Sequence, residues 1–269
     1  MSQELTDQID NQINIKPNEL ILDYAFKNID DSKLKIIGEK IASCTNLQKL
    51  IVDLEENSFT ENGIQYFAQE IQRCESLDNI KLILPYNHLN NQSAAYLSQS
   101  LVQLKNLRKL CLDLSVNGIS DGISKIGELI VQNTAIKYLD LILSDNPIHD
   151  QQAQLLSKCI SQSQSIKGIT LMLPEVNVGN IGFQSLIEAL TQSQSLEQFK
   201  LVLIDSGHAI TQESLVKFGQ AISKNNKLIS FHLSLSNIPR DDLKLIKQVY
   251  FEISQNQNLV SFVLDFRLK

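Results

Sequence analysis

Four cysteines and four histidines are the residues of this chain best suited to nucleophilic or metal chemistry, and their spacing decides what they can do. Cys44, Cys74, Cys111 and Cys159 form no CxxC pair, and His88, His149, His208 and His232 fall in different stretches with no HExxH and no His/Cys cluster. Zinc sites are built from such close pairs, so no metal is expected. Cys111 is the one thiol expected on an open strand face, but nothing near it in sequence supplies a base to activate it. No GxxxxGK[ST] or GxGxxG run follows a strand-like stretch, so no phosphate-cradling loop and no cofactor are indicated. The carboxylate pairs Asp30-Asp31, Glu55-Glu56 and Asp241-Asp242 sit in turn-like stretches or at helix openings, where acids favour the helix dipole. Taken together, these residues point to a protein that is not an enzyme.

The elements that would position any site are legible from one stretch, Leu107 to Ala135. It opens with Leu110, Leu112 and Leu114 at alternating positions, passes Asn117, and continues with Ile123, Ile126 and Ile130 at helical spacing. Period two followed by period 3.6 reads as strand, turn and helix. So short a unit cannot bury its apolar faces alone and needs neighbours that share them. The chain supplies them. Counting from 17, 47, 77, 107, 136, 166, 196, 228 and 259, positions 4, 6 and 8 of each unit are apolar, from Leu20, Leu22 and Tyr24 to Phe262, Leu264 and Phe266. Asn recurs near position 11 as Asn57, Asn87, Asn117 and Asn146, with Asn177 and Asn237 displaced by one, and is expected to bond backbone groups of adjacent turns. Expected helical faces are Ile64, Phe67, Ala68 and Ile71; Ala94, Leu97 and Leu101; Leu155, Leu156 and Ile160; Leu186 and Leu190; Leu215, Phe218 and Ile222; and Leu243, Ile246 and Ile253. A strand with a crossover helix gives right-handed parallel units. Strands stack more closely than helices, so strands should line the inside of an arc and helices the outside.

This pattern, seen in LRKLCLDLSVNGIS and LEQFKLVLIDSGHAI, resembles the leucine-rich repeat family in its long strand-helix form typified by ribonuclease inhibitor. The likeness covers residues 17–269. It implies an α/β horseshoe solenoid of about nine parallel strands on the concave face and eight helices on the convex face. One departure is visible: LxxLxLxLxxN stands where the family has LxxLxLxxN, adding an inward residue at Leu54, Leu84, Leu114 and Leu143, so longer strands are expected. The cysteine richness and strong acidity of that inhibitor are missing, so its activity is not carried over. Residues 1–16 are read as a polar N-terminal segment or cap, with Leu5, Ile9 and Ile13 at helical spacing, and 17–269 as a single domain.

Composition narrows the compartment and partners. The 269 residues carry a net charge of −6, which argues against a nucleic-acid binder, since such proteins show a basic surface. No run of eighteen apolar residues is present, so no membrane span is expected. The opening lacks an apolar leader, and the thiols suit a reduced, cytoplasmic protein, a disulfide between Cys44 and Cys74 being the sharper alternative.

Function must then sit on strand residues between the core positions. Position 7 reads Asp23, Asp53, Ile83, Asp113, Ile142, Met172, Val202, Ser234 and Asp265. The run Ile142, Met172 and Val202, extended by Ile204, is apolar on adjacent strands facing solvent, and such patches mark interaction sites. With the acids Asp23, Asp53 and Asp113 it forms the candidate partner-binding surface. The resemblance implies a non-catalytic scaffold that binds a protein partner through its concave face and rim loops. Two alternatives are a regulator of a small GTPase of the activating type and a structural subunit of a larger cytoskeletal or organellar complex. Two further expectations concern the ends of the array: the 205–211 loop should bulge, and the final strand, 260–267, should be covered by a partner, a second copy or the preceding helix.

Overall fold

A computed structural model describes Asp7, Ile9 and residues 16–205, 210–238 and 243–268. Among these, nine strands alternate with eight helices. The strands are β1 (Glu19–Asp23), β2 (Lys49–Asp53), β3 (Asn79–Ile83), β4 (Lys109–Asp113), β5 (Tyr138–Ile142), β6 (Gly168–Met172), β7 (Gln198–Leu203), β8 (Ser230–Ile238) and β9 (Ser261–Leu268). The helices are α1 (Asp31–Ala42), α2 (Glu61–Gln72), α3 (Asn91–Leu101), α4 (Ile123–Gln132), α5 (Asp150–Gln162), α6 (Asn180–Gln192), α7 (Gln212–Lys224) and α8 (Leu243–Ser254). The sheet runs β1 to β9 in sequence order, so every strand pairs with its chain neighbours. Every pairing from β1·β2 to β8·β9 is parallel. The sheet is open, giving an α/β solenoid of leucine-rich-repeat type.

The register follows the repeat. Leu20 pairs with Leu50, Leu50 with Ile80 and Ile80 with Leu110, so position 4 forms one row across the sheet. These rows and the inner helix faces make one apolar core from Ile9 to Ile253. Ile9 is helical and fully buried in that core, whereas Leu5 and Ile13 lie outside the described residues.

The added inward residue lengthens the ladder rather than the regular strand. β1 to β6 hold five residues each and stop at position 7. Pairing nevertheless continues: Tyr24 N–H donates to Asp53 O at 2.8 Å and Phe26 N–H to Glu55 O at 2.9 Å. Position 10 then turns the chain with a positive φ in Phe26, Glu56, Tyr86, Val116, Asp145, Glu175 and Asp205. That left-handed geometry is costly for residues with a Cβ and most so for β-branched Val116.

Two helical expectations and one turn expectation are corrected. Leu155 is 38% exposed, because it sits at the margin of the face that Ala153, Leu156 and Ile160 bury. On α8 the buried row is Leu245, Val249 and Ile253; Ile246 is only partly buried against the core, and the Leu243 side chain lies outside the described residues. Asn237 belongs to β8 rather than to a turn. Residues 206–209 lie outside the described residues, and with them the expected bulge.

Candidate functional site

The inner face of the sheet is built by positions 3, 5 and 7, which point away from the core rows. Ile142 on β5, Met172 on β6 and Val202 on β7 are neighbours in register. Ile142 and Met172 are half-buried, which leaves apolar surface in contact with solvent. Val202 lies on the same face but is only 8% exposed, so it forms floor rather than contact surface. Ile204, half-buried, follows immediately after β7, two residues beyond Val202. The expected apolar run is therefore brought together, with Met172 at its centre.

The acids at the other end first serve their own turns. Asp23 Oδ1 accepts from Ala25 N–H at 3.3 Å, Asp53 Oδ1 from Glu55 N–H at 3.0 Å, and Asp113 Oδ1 from both Ser115 N–H and Ser115 Oγ. Each is an Asx-type turn, a local reason for Asp where the strand ends. Charge still accumulates here: burial, followed by the nearby carboxylates of Asp53 and Asp113, pushes the Glu55 carboxyl above its ordinary value.

A cavity of about 280 Å³ opens on the same face lower on the strands, lined by Tyr138, Asp140, Gly168, Thr170, Lys200, His232 and Val263 among others. Gly168 makes it possible. A Cβ there would meet Tyr138 Cδ1 at 2.8 Å, so the tyrosine ring lies across the glycine. Burial, then the Lys200 ammonium, holds His232 below the usual histidine range, and its Nε2 is 2.9 Å from Ser234 Oγ. Position 3 carries the signal for this notch: a lone Gly168 stands where other strands have Glu19, Lys49, Tyr138 or Gln198.

The thiols are chemically quiet. All four are free. Burial pushes Cys111 up to about 11, with Asp140 adding to it, and pushes Cys74 up to about 12. A thiol that stays protonated at neutral pH is a poor nucleophile. Among the described residues no group of three His, Cys, Asp or Glu is placed to hold a metal, and no helix is long and apolar enough to cross a membrane. Asp30 caps α1 by accepting from Lys33 N–H, and Asp31 accepts from Thr60 of the next unit, so this carboxylate pair is structural.

Two polar ladders fix the spacing of the site. In the first, Asn57 donates through Nδ2 to Tyr24 O and Leu54 O and accepts from Ile29 N–H; Asn87, Asn117 and Asn146 repeat the pattern. It ends at Val176, which is buried at the same position, while Asn177 is exposed and joins no ladder. The second follows the helix ends and escaped the sequence reading. Buried Asn133 bonds Leu101 O and Leu104 O, Asn225 bonds Leu190 O, and Asn256 bonds Ile222 O and Asn225 O. Cys44 and Cys74 hold the corresponding places in the first units, and irregular spacing of 27 to 30 residues into each unit hid the series.

No family model matches this sequence, and no curated protein matches it. Among solved structures, the chain is similar to leiomodin-1 actin-binding site 2, at 17% identity over 51% of this chain and 72% of that one, with a TM-score of 0.39. It also aligns with diaminopimelate decarboxylase from Helicobacter pylori complexed with L-lysine, at 14% identity over 98% of this chain and 61% of that one, with a TM-score of 0.24. Neither likeness is close enough to transfer a function.

Proposed function

We propose that this protein is a non-catalytic binding module that takes a protein partner on the inner face of its sheet. The observation that carries this reading is the half-buried pair Ile142 and Met172, adjacent in register on a face that no helix covers among the described residues. Apolar side chains in that setting favour an apolar anchor from a partner. The cavity around Lys200 lies two residues down the same strands, about 7 Å away, and can receive a polar group beside the anchor. Asp23, Asp53 and Asp113 keep one carboxylate oxygen clear of their turn bonds and add negative charge at the far end.

In this reading residues 17–269 act as one repeat domain of the ribonuclease-inhibitor-like subtype, and residues 1–16 act as its cap. The burial of Ile9 supports the cap. Four cysteines that form no disulfide fit a cytoplasmic scaffold, whether free or within a larger complex. Of the arginines, Arg73 is ion-paired with Glu70 on α2, Arg108 lies in the turn before β4, and Arg240 lies outside the described residues, so a GTPase-activating role is not the reading favoured.

The test is capture of partners on immobilised protein followed by mass spectrometry, run in parallel with Met172→Asp. A partner held by the native chain and lost with the variant supports the reading; equal capture by both refutes it.

A further inference from the structure

The cavity beside the apolar run holds a charge that the fold does not answer. Lys200, at position 5 of β7, is half-buried and lines that cavity. Its register neighbours are Thr170 on β6 and His232 on β8, both uncharged at neutral pH. Among the described residues Lys200 has no ion pair and no side-chain hydrogen bond. The acids of the same face, Asp140 on β5 and Asp265 on β9, each stand two strands away, about 10 Å or more at the backbone. An ammonium that has lost part of its water without gaining a counter-charge favours any anion that can reach it.

The walls say which anion fits. Gly168 leaves room at position 3 of β6, and Tyr138 and Gln198 lean over it from the strands on either side. A Cβ on Gly168 would lie 2.8 Å from Tyr138 Cδ1 and 3.4 Å from Gln198 Oε1. Thr170, Gln198, Ser230 and His232 line the rest with neutral polar groups, and Asp140 closes the β5 side. His232 adds no second positive charge, because burial and then the Lys200 ammonium hold it below the usual histidine range. One ammonium among neutral groups balances one negative charge, and Asp140 repels a second. A carboxylate suits this setting, whereas a phosphate brings nearly two charges.

We propose that the cavity takes the carboxylate of an Asp or Glu side chain from an extended segment of the protein partner, two residues along that segment from the apolar side chain that rests on Ile142 and Met172. The proposal rests on the inner face being the partner's surface. In an extended chain alternate residues share a face and lie about 7 Å apart. Met172 at position 7 and the Lys200 row at position 5 are separated by the same two-residue step. A segment lying along the strands therefore sets its apolar residue on Met172 and its acid over Lys200 at once. The intervening residue points away from the sheet, so the recognised pattern is apolar, any residue, acid, in either chain direction.

Nuclear magnetic resonance titrations of the full chain with short capped peptides test the proposal. The probes are acetylated and amidated Leu-Ala-Glu and Glu-Ala-Leu, each beside its counterpart with Gln in place of Glu. Capping leaves the Glu side chain as the sole carboxylate. The better Glu peptide should move the Met172 methyl signal and the Thr170 and Lys200 amide signals. It should also raise the titration midpoint of His232, which then faces Lys200 with its charge offset, Asp265 being unchanged. It should bind about fivefold more tightly than its Gln counterpart. Lys200→Met should erase that preference and Lys200→Arg should keep it; the side chain lies outside the core rows, so circular dichroism should stay native in both. Equal binding of Glu and Gln peptides, with Met172 moved by both, overturns the carboxylate site and leaves the binding face standing. A Glu preference that survives Lys200→Met, or signals that move at Lys200 but not at Met172, also overturns the proposal. Peptides that move neither residue overturn the site and the binding face together.

Discussion

The backbone N–H of Asn57 donates to the side-chain Oδ1 of Asn87, thirty residues further on, at 2.9 Å. Asn87 returns across the same gap, its Nδ2 reaching Leu54 O at 2.8 Å, and the residue is fully buried. Repeat units are thus joined by asparagine as well as by the strand ladder.

Asn87→Ala should therefore be far more costly than a surface change. It leaves Asn57 N–H without its acceptor in the interior and Leu54 O with only the bond from Asn57 Nδ2, a loss of about 2 kcal/mol. Asn87→Asp should fall close behind, since a carboxylate cannot donate to Leu54 O. A urea titration followed by circular dichroism measures both. A midpoint within error of the native chain for Asn87→Ala would show that the ladder is incidental.

Val116→Asn should stabilise the protein. Val116 has φ 52°, the left-handed region, and is β-branched. Relief of that strain is worth about 1 kcal/mol, since Asn visits the region more easily. The melting temperature should rise. A fall would mean that the half-buried isopropyl group contributes more packing than its backbone geometry costs.

The nine-strand order was legible because a thirty-residue apolar register repeats without interruption, and the parallel register Leu20, Leu50, Ile80, Leu110 reproduces it row by row. Inward and outward faces followed from period two. What escaped was whatever depends on how side chains of adjacent strands pack against one another. The low exposure of Val202 depends on the side chains around it, and the notch at Gly168 exists because Tyr138 folds over it from the next strand. The acids Asp23, Asp53 and Asp113 read as a charged surface, whereas their nearest task is to close turns. The helix-end ladder was hidden because Cys, Asn and Ser share one place in it at uneven spacing.

The thiols should resist alkylation. Burial, followed by Asp140, raises Cys111 from 9.0 to about 11. Two units leave roughly a hundredfold less thiolate near pH 8 than an open cysteine has, so iodoacetamide should modify native Cys111 correspondingly slowly. The same shift sets a pH dependence. The folded state favours the neutral thiol, so its contribution to stability is complete below pH 9 and is lost as pH climbs from 9 towards 11. Cys111→Ala should flatten the alkaline fall in melting temperature over that window. An alkylation rate equal to that of the unfolded chain would contradict the burial of this thiol.

The most direct test of the binding face is a calorimetric titration of the captured partner against the native chain and Met172→Asp. Met172 lies outside the core rows, so the variant should keep native circular dichroism. A charged group in place of a central apolar anchor costs about 2 kcal/mol or more, so affinity should fall at least roughly thirtyfold. A folded Met172→Asp protein that binds the partner with native affinity would contradict the assignment of the inner face.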